Sequence, residues 1–166
     1  VYGRSILENS SFIVSSAHPD ASLHGAGFVA RLSGSTAEFT HMWLLMNMGQ
    51  APFFLDESGQ LALRFRPVLS SRLFSRRLQE RNYTDINYVK HSVRFQVNTY
   101  AFLFLGKTLV TYINPKRKDT FGKDSVRPVR IALFDNDKLL VEIEKGVIGA
   151  PYAEQVRLGK VDRIYV

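Results

Sequence analysis

The residues best suited to chemistry lie between His24 and Glu38, where the glycine-rich loop His24-Gly25-Ala26-Gly27 leads through Arg31 to Ser33-Gly34-Ser35 and then to an apolar stretch. The chemistry they suit is anion binding. Ser35 followed three positions later by Glu38 has the spacing of a capping box, which predicts a helix beginning near Thr36. Ser33 and Gly34 then sit immediately before the first turn, where unpaired N–H groups and the positive end of the aligned peptide dipoles favour a phosphate or carboxylate. Gly34 allows close approach of the backbone, and Arg31 or His24 could add positive charge. The same spacing also describes an ordinary turn into a helix.

The elements that would hold these residues are of two kinds. Leu7 to Ala17 could form a short helix, ended by His18-Pro19-Asp20 because the residue before proline is driven out of the helical region. Asp20 itself reads as a turn residue. The strongest helical pattern runs from Thr36 to Met48, with Phe39, Met42, Trp43, Leu45, Met46 and Met48 wrapping most of the circumference. Such a helix is expected to be buried on several sides. Gly49 suits a left-handed cap, and Pro52 prevents resumption.

Beyond Pro52 the period changes to two. Gln60 to Arg66 sets Leu61, Leu63 and Phe65 against Ala62, Arg64 and Arg66, the pattern of a strand with one wet face. Ser70 to Arg81 reads as an arginine-rich loop with a helical turn. Tyr88 to Asn98 alternates most regularly of all. Tyr100 to Leu105 and Thr108 to Ile113 flank Gly106-Lys107, which suggests a type II′ hairpin. Asn114 to Asp124 is a polar basic loop. Val126 to Phe134 and Leu139 to Ile143 read as strands joined through Asp135-Asn136-Asp137-Lys138, Gly146 to Gly149 as irregular, and Val156 to Val166 as edge-strand material. The fold expected is mostly β: an antiparallel, jelly-roll-like β-sandwich over 53–166, preceded by a short helical remnant over 1–52.

Composition narrows the functional classes. A chain of 166 residues with 45% hydrophobic content can bury a real core, so it is no disordered tail. It contains no cysteine, which removes thiolate metal sites and disulfides and leans toward a cytoplasmic setting. His18, His24, His41 and His91 make no close ligand pair, so no metal site is expected. No apolar run reaches membrane-spanning length, and no signal peptide is evident. The first residue is valine, which suggests a processed product or a piece of something longer. The net charge of +7 is concentrated in Arg64, Arg66, Arg72, Arg76, Arg77 and Arg81 and in Lys116-Arg117-Lys118. Such clusters suit an acidic partner domain, an anionic substrate, nucleic acid or simply a solvated face. No helix-turn-helix, zinc-finger or RNA-recognition signature accompanies them, so nucleic acid is not the expected partner.

Taken in order, Glu8, His24-Gly25, Leu32-Ser33-Gly34-Ser35, an apolar helix ending in glycine and Leu61-Ala62-Leu63-Arg64-Phe65-Arg66-Pro67 resemble the C-terminal part of cellobiose and chitobiose phosphorylases, glycoside hydrolase family 94. In that family a His-Gly loop precedes a Leu-Thr-Gly-Thr-Ala motif, which opens the last helix of an (α/α)6 barrel, and a β-sandwich follows. Ser33 and Ser35 stand where the motif has threonines. The resemblance implies phosphate binding by Ser33 and Gly34, with His24 and Gly25 near the substrate. It also implies inverting phosphorolysis, in which one carboxylic acid protonates the departing sugar oxygen while phosphate attacks the anomeric carbon from the opposite face. The family's general acid lies upstream, so no catalytic residue is expected here, and neither Glu8 nor Asp20 takes that role. A phosphate-facing role for Arg31 follows from its position two residues before Ser33. The implied partners are an oligosaccharide, inorganic phosphate as co-substrate without a further cofactor, and the upstream catalytic domain of the same polypeptide. Neither nucleic acid nor membrane is implied, and a homodimer is allowed. A competing expectation is a non-catalytic β-sandwich that binds carbohydrate or packs on a partner, with Tyr100, Tyr112 and Tyr152 as its platform.

Overall fold

The computed structural model describes residues 12–28, 33–144 and 146–166. It divides into two compact units, Val1–His41 and Met42–Val166.

In the first unit, β1 (Phe12–Ile13) pairs antiparallel with β2 (Gly27–Phe28), Ile13 lying opposite Gly27. The ladder continues through Val14 N–H to the Ala26 carbonyl, and Gly25 N–H returns to the Val14 carbonyl. This corrects the helix expected over 7–17 where it is described, since Phe12 and Ile13 are extended. The serines around them are weak helix formers, and the hairpin satisfies the backbone instead. Between the strands, Asp20 caps a 3-10 turn at Ala21–Leu23 by accepting from Ser22 N–H, the turn role read for it.

Helix α1 spans Ser33–Met48. It begins earlier than the capping box implies, so Ser35 is helical and does not act as the N-cap. Serine suits the start of a helix, where side-chain oxygens can meet the free N–H groups, so the start can shift by a residue or two. Nor is the helix buried along its length: Phe39 and Met42 are exposed, whereas Asn47 and Met48 are buried. Gly49 ends it with φ +90°, as its position suggests, and donates to the Leu45 carbonyl. Carbonyls at the helix C-terminus have no intrahelical donor. Here Met46 accepts from Val68 N–H, Met48 from Arg66 N–H and Asn47 from the Tyr112 hydroxyl.

The second unit is β-sandwich-like. Strands β3 (Phe53–Leu55) and β4 (Leu61–Arg64) form a hairpin whose turn is held by Asp56, which accepts from Ser58 and Gln60 N–H. Strand β4 lacks the wet face expected of it, since Ala62 and Leu63 are both buried. A 3-10 turn at Ser71–Leu73 occupies the arginine-rich segment. Strands β5 (Gln79–Thr84) and β6 (Lys90–Phe95) make a two-stranded ribbon, in which His91, Val93 and Phe95 alternate with exposed Lys90, Ser92 and Arg94.

Strands β7 (Thr99–Phe104) and β8 (Thr108–Ile113) follow, then β9 (Ile131–Asp135), β10 (Lys138–Ile143) and the short β11 (Val147–Ile148). Helix α2 (Tyr152–Arg157) leads to β12 (Arg163–Tyr165). The larger sheet has the order β10-β9-β12-β8-β7, and the smaller one β11-β4-β3. All pairings are antiparallel except β12 with β8. The core contains Leu63, Phe65, Ile148, Val110, Leu133 and Ile164, each contributing about 1.5–3 kcal/mol by burial. Phe53 stacks on Phe104, and Phe65 meets Tyr112 edge to face.

Four local expectations change. The β7–β8 loop has positive φ at both Leu105 and Gly106, whereas a type II′ turn needs it only at its first central residue. Residues 126–130 are not strand, and Val147–Ile148 is a short strand where irregular structure was expected. The C-terminal stretch forms a helix and then a central strand in place of an edge, because buried Val161 and Ile164 place β12 inside the sheet. The Asp135–Lys138 hairpin is as expected, with Asn136 and Asp137 both at positive φ.

Candidate functional site

Within the loop of the first unit, two residues singled out in the sequence share one turn. The His24 ring donates from Nε2 to the His18 carbonyl at 2.8 Å. His18 accepts at Nδ1 from Asp20 N–H, and Asp20 also accepts from the Ser22 hydroxyl. These Ser22 bonds hold the exposed Asp20 carboxyl below its ordinary range. Gly25 takes φ +77° with open space around its Cα, so its freedom serves the turn rather than a close neighbour.

Ser33 and Gly34 form the beginning of α1. With Ser35 they present N–H groups that no carbonyl inside the helix reaches, at the positive end of a helix 16 residues long. Their position inside the first turn, rather than before it, leaves that donor set in place. Arg31 and Glu8 lie outside the described residues. The structure thus describes His24 and Gly25 in one turn and Ser33 and Gly34 in another.

The basic clusters are partly structural. Arg117 donates to the Ser75 carbonyl and to Asn98 Oδ1, Arg64 lies over the Phe54 ring at 4.7 Å, and Arg81 reaches Gln79. The tyrosine platform does not form. Tyr112 is buried with its hydroxyl bonded to Asn47, Tyr100 packs beside Phe74 and Phe102, and half-buried Tyr152 bonds the Leu140 carbonyl. Aromatic rings with one polar tip fill such places well. Among the described residues the exposed tyrosine is Tyr88, 89% accessible at the ribbon tip.

Sequence reasoning missed a cavity of about 740 Å³ in the second unit, beneath the connection from β8 to β9. Its available signal was the length of that connection, beyond the roughly 12–15 residues at which structureless loops become uncommon. Among the described residues no group of three histidine, aspartate or glutamate side chains is placed to hold a metal, and no helix is long and apolar enough to cross a membrane. The fold is that of a mostly β, β-sandwich-like domain with one long helix. No protein-family model matches the chain, and no curated protein matches it.

Proposed function

We propose that this chain is the C-terminal segment of an inverting glycoside phosphorylase, in which the start of α1 binds inorganic phosphate beside an active site completed by an upstream domain. The observation that carries this reading is the position of Ser33 and Gly34. They are the residues that the resemblance to cellobiose and chitobiose phosphorylases assigns to phosphate, and they occupy the first helical turn, whose N–H groups have no carbonyl partner within the helix. A helix entering a β-sandwich-like unit supports the same reading. Phosphate held there serves as nucleophile toward the anomeric carbon, and the general acid comes from the preceding domain. In this role the chain is inactive alone, and the complete polypeptide acts on a β-glucoside-type oligosaccharide in the cytoplasm.

The test is phosphate-dependent release of a sugar 1-phosphate from β-linked disaccharides by the complete polypeptide that carries this chain. Ser33→Ala and Arg31→Ala should each raise the phosphate KM. Sugar release that ignores phosphate, or no sugar 1-phosphate across the panel, overturns the proposal.

A further inference from the structure

The connection over 114–130 is held by hydrogen bonds across 114–120 and again at Val126. Asn114 N–H donates to the Asn98 carbonyl, and Asn114 Nδ2 to the Lys118 carbonyl. Asp119 accepts from Ser71 N–H at 2.6 Å, and Thr120 Oγ1 donates to the Pro67 carbonyl while accepting from Leu69 N–H. Val126 N–H returns to the Asp119 carbonyl. Pro67, Pro115 and Pro128 all line the space enclosed. Fixed φ angles and part-buried hydrogen bonds make this a pre-formed cavity.

Its lining is largely apolar, and the charged side chains in it have one sign. Ile113, Val126, Val129, Ala132, Phe74 and Tyr165 contribute the apolar surface, and Val129 is 75% exposed. The charged residues in the lining are Lys116, Arg127 and Arg130, with no aspartate or glutamate among the described residues there. Arg130 is neutralised by Glu142. Lys116 and Arg127, both exposed, make no ion pair or hydrogen bond among the described residues, so two cationic side chains at the rim of one apolar cavity are free to pair with a ligand.

We infer that this cavity binds an amphipathic organic anion, an apolar body ending in one carboxylate or phosphate. Its volume of about 740 Å³ lies within the roughly 300–1,000 Å³ typical of small-molecule sites. The apolar body covers Val129 and Ile113, whose exposure otherwise leaves hydrocarbon in water. The headgroup meets Lys116 and Arg127, where a charge-assisted hydrogen bond is stronger than a neutral one. A neutral or cationic amphiphile gains only the apolar part. The site lies wholly in the second unit and does not depend on the phosphorylase reading.

Titration calorimetry of the full chain at low salt, with octanoate and octyl phosphate as probes below their micellar concentrations, tests the assignment. One-site saturable binding of either probe is expected, with 1-octanol and octyltrimethylammonium at least tenfold weaker. Lys116→Ala/Arg127→Ala should weaken the anion at least tenfold, and Val129→Glu should abolish its binding. Methyl shifts in an NMR titration should be confined to the lining residues Ile113, Val126, Val129, Ala132 and Val166, which separates lost binding from lost folding. Equal binding of octanol, an unaffected double variant, or no saturable binding overturns the proposal. So does sedimentation showing a self-associated protein that Val129→Glu dissociates, because the face would then be covered by a second copy.

Discussion

The Tyr112 hydroxyl donates a 2.6 Å hydrogen bond to the backbone carbonyl of Asn47, fastening the last turn of α1 to strand β8 of the larger sheet. Both groups are buried, so neither has water as a substitute partner. Tyr112→Phe keeps the ring and strands the carbonyl, which should cost about 1–3 kcal/mol in urea denaturation.

Burial also pushes the Tyr112 phenol well above its ordinary pKa, because a phenolate there would be poorly solvated. A raised folded-state value means that the stabilisation is fully present below the unfolded pKa of about 10. It is lost as pH rises through the folded value. Denaturation midpoints should therefore fall above about pH 10, and Tyr112→Phe should flatten that limb.

Gly49 and Gly59 separate backbone strain from collision. Both have positive φ, but a Cβ on Gly49 would lie 2.9 Å from Arg66 Cβ and 2.9 Å from its carbonyl oxygen, while Gly59 faces open space. Gly59→Ala should cost about 1–2 kcal/mol from the left-handed conformation alone. Gly49→Ala should cost more, and the difference between their urea midpoints reads the collision.

At the ribbon tip, the Asp85 carboxylate accepts from Asn87 and Val89 N–H and pairs with His91 at 3.1 Å. These bonds, the His91 contact foremost, hold the Asp85 carboxyl below its usual range. Its contribution is therefore present above the ordinary carboxylate pKa of about 4 and lost as pH falls through the depressed value. Asp85→Ala should speed amide exchange at Asn87 and Val89 and leave β8 amides unchanged. Uniformly faster exchange would show that the ribbon does not open separately.

Ile164 tests the position of β12. It is fully buried, with β8 on one side and β9 on the other. Ile164→Ala should cost about 2–5 kcal/mol. A loss below 1 kcal/mol would be that of an edge position.

Features set by neighbouring residues were legible in the sequence. The Gly49 cap, the Asn136-Asp137 turn and the alternation of β6 each follow from local sterics or side-chain period. The mostly β class was legible for the same reason. The centrality of β12 was not, because three residues carry no period, and their partners at 109–111 are brought to them only by the fold. The first turn of α1 was misplaced because Ser33, Gly34 and Ser35 suit a cap and a first turn about equally. The same local chemistry singled out Ser33 and Gly34 as residues at the start of the helix. The cavity under 114–130 has no counterpart in pattern, since loop packing against prolines leaves no periodic trace.

The parallel pairing of β12 with β8 also orders events in time. During synthesis the hairpins β7–β8 and β9–β10 emerge first, yet they share no edge until β12 is inserted between them. Each must wait with an unpaired strand facing solvent. The larger sheet is thus completed by a late, long-range step, of the kind that slows folding because chain-closure entropy is lost before contacts repay it. Nascent chains stopped at Lys160 should remain protease-sensitive in β8 and β9, and chains extended past Val166 should become resistant.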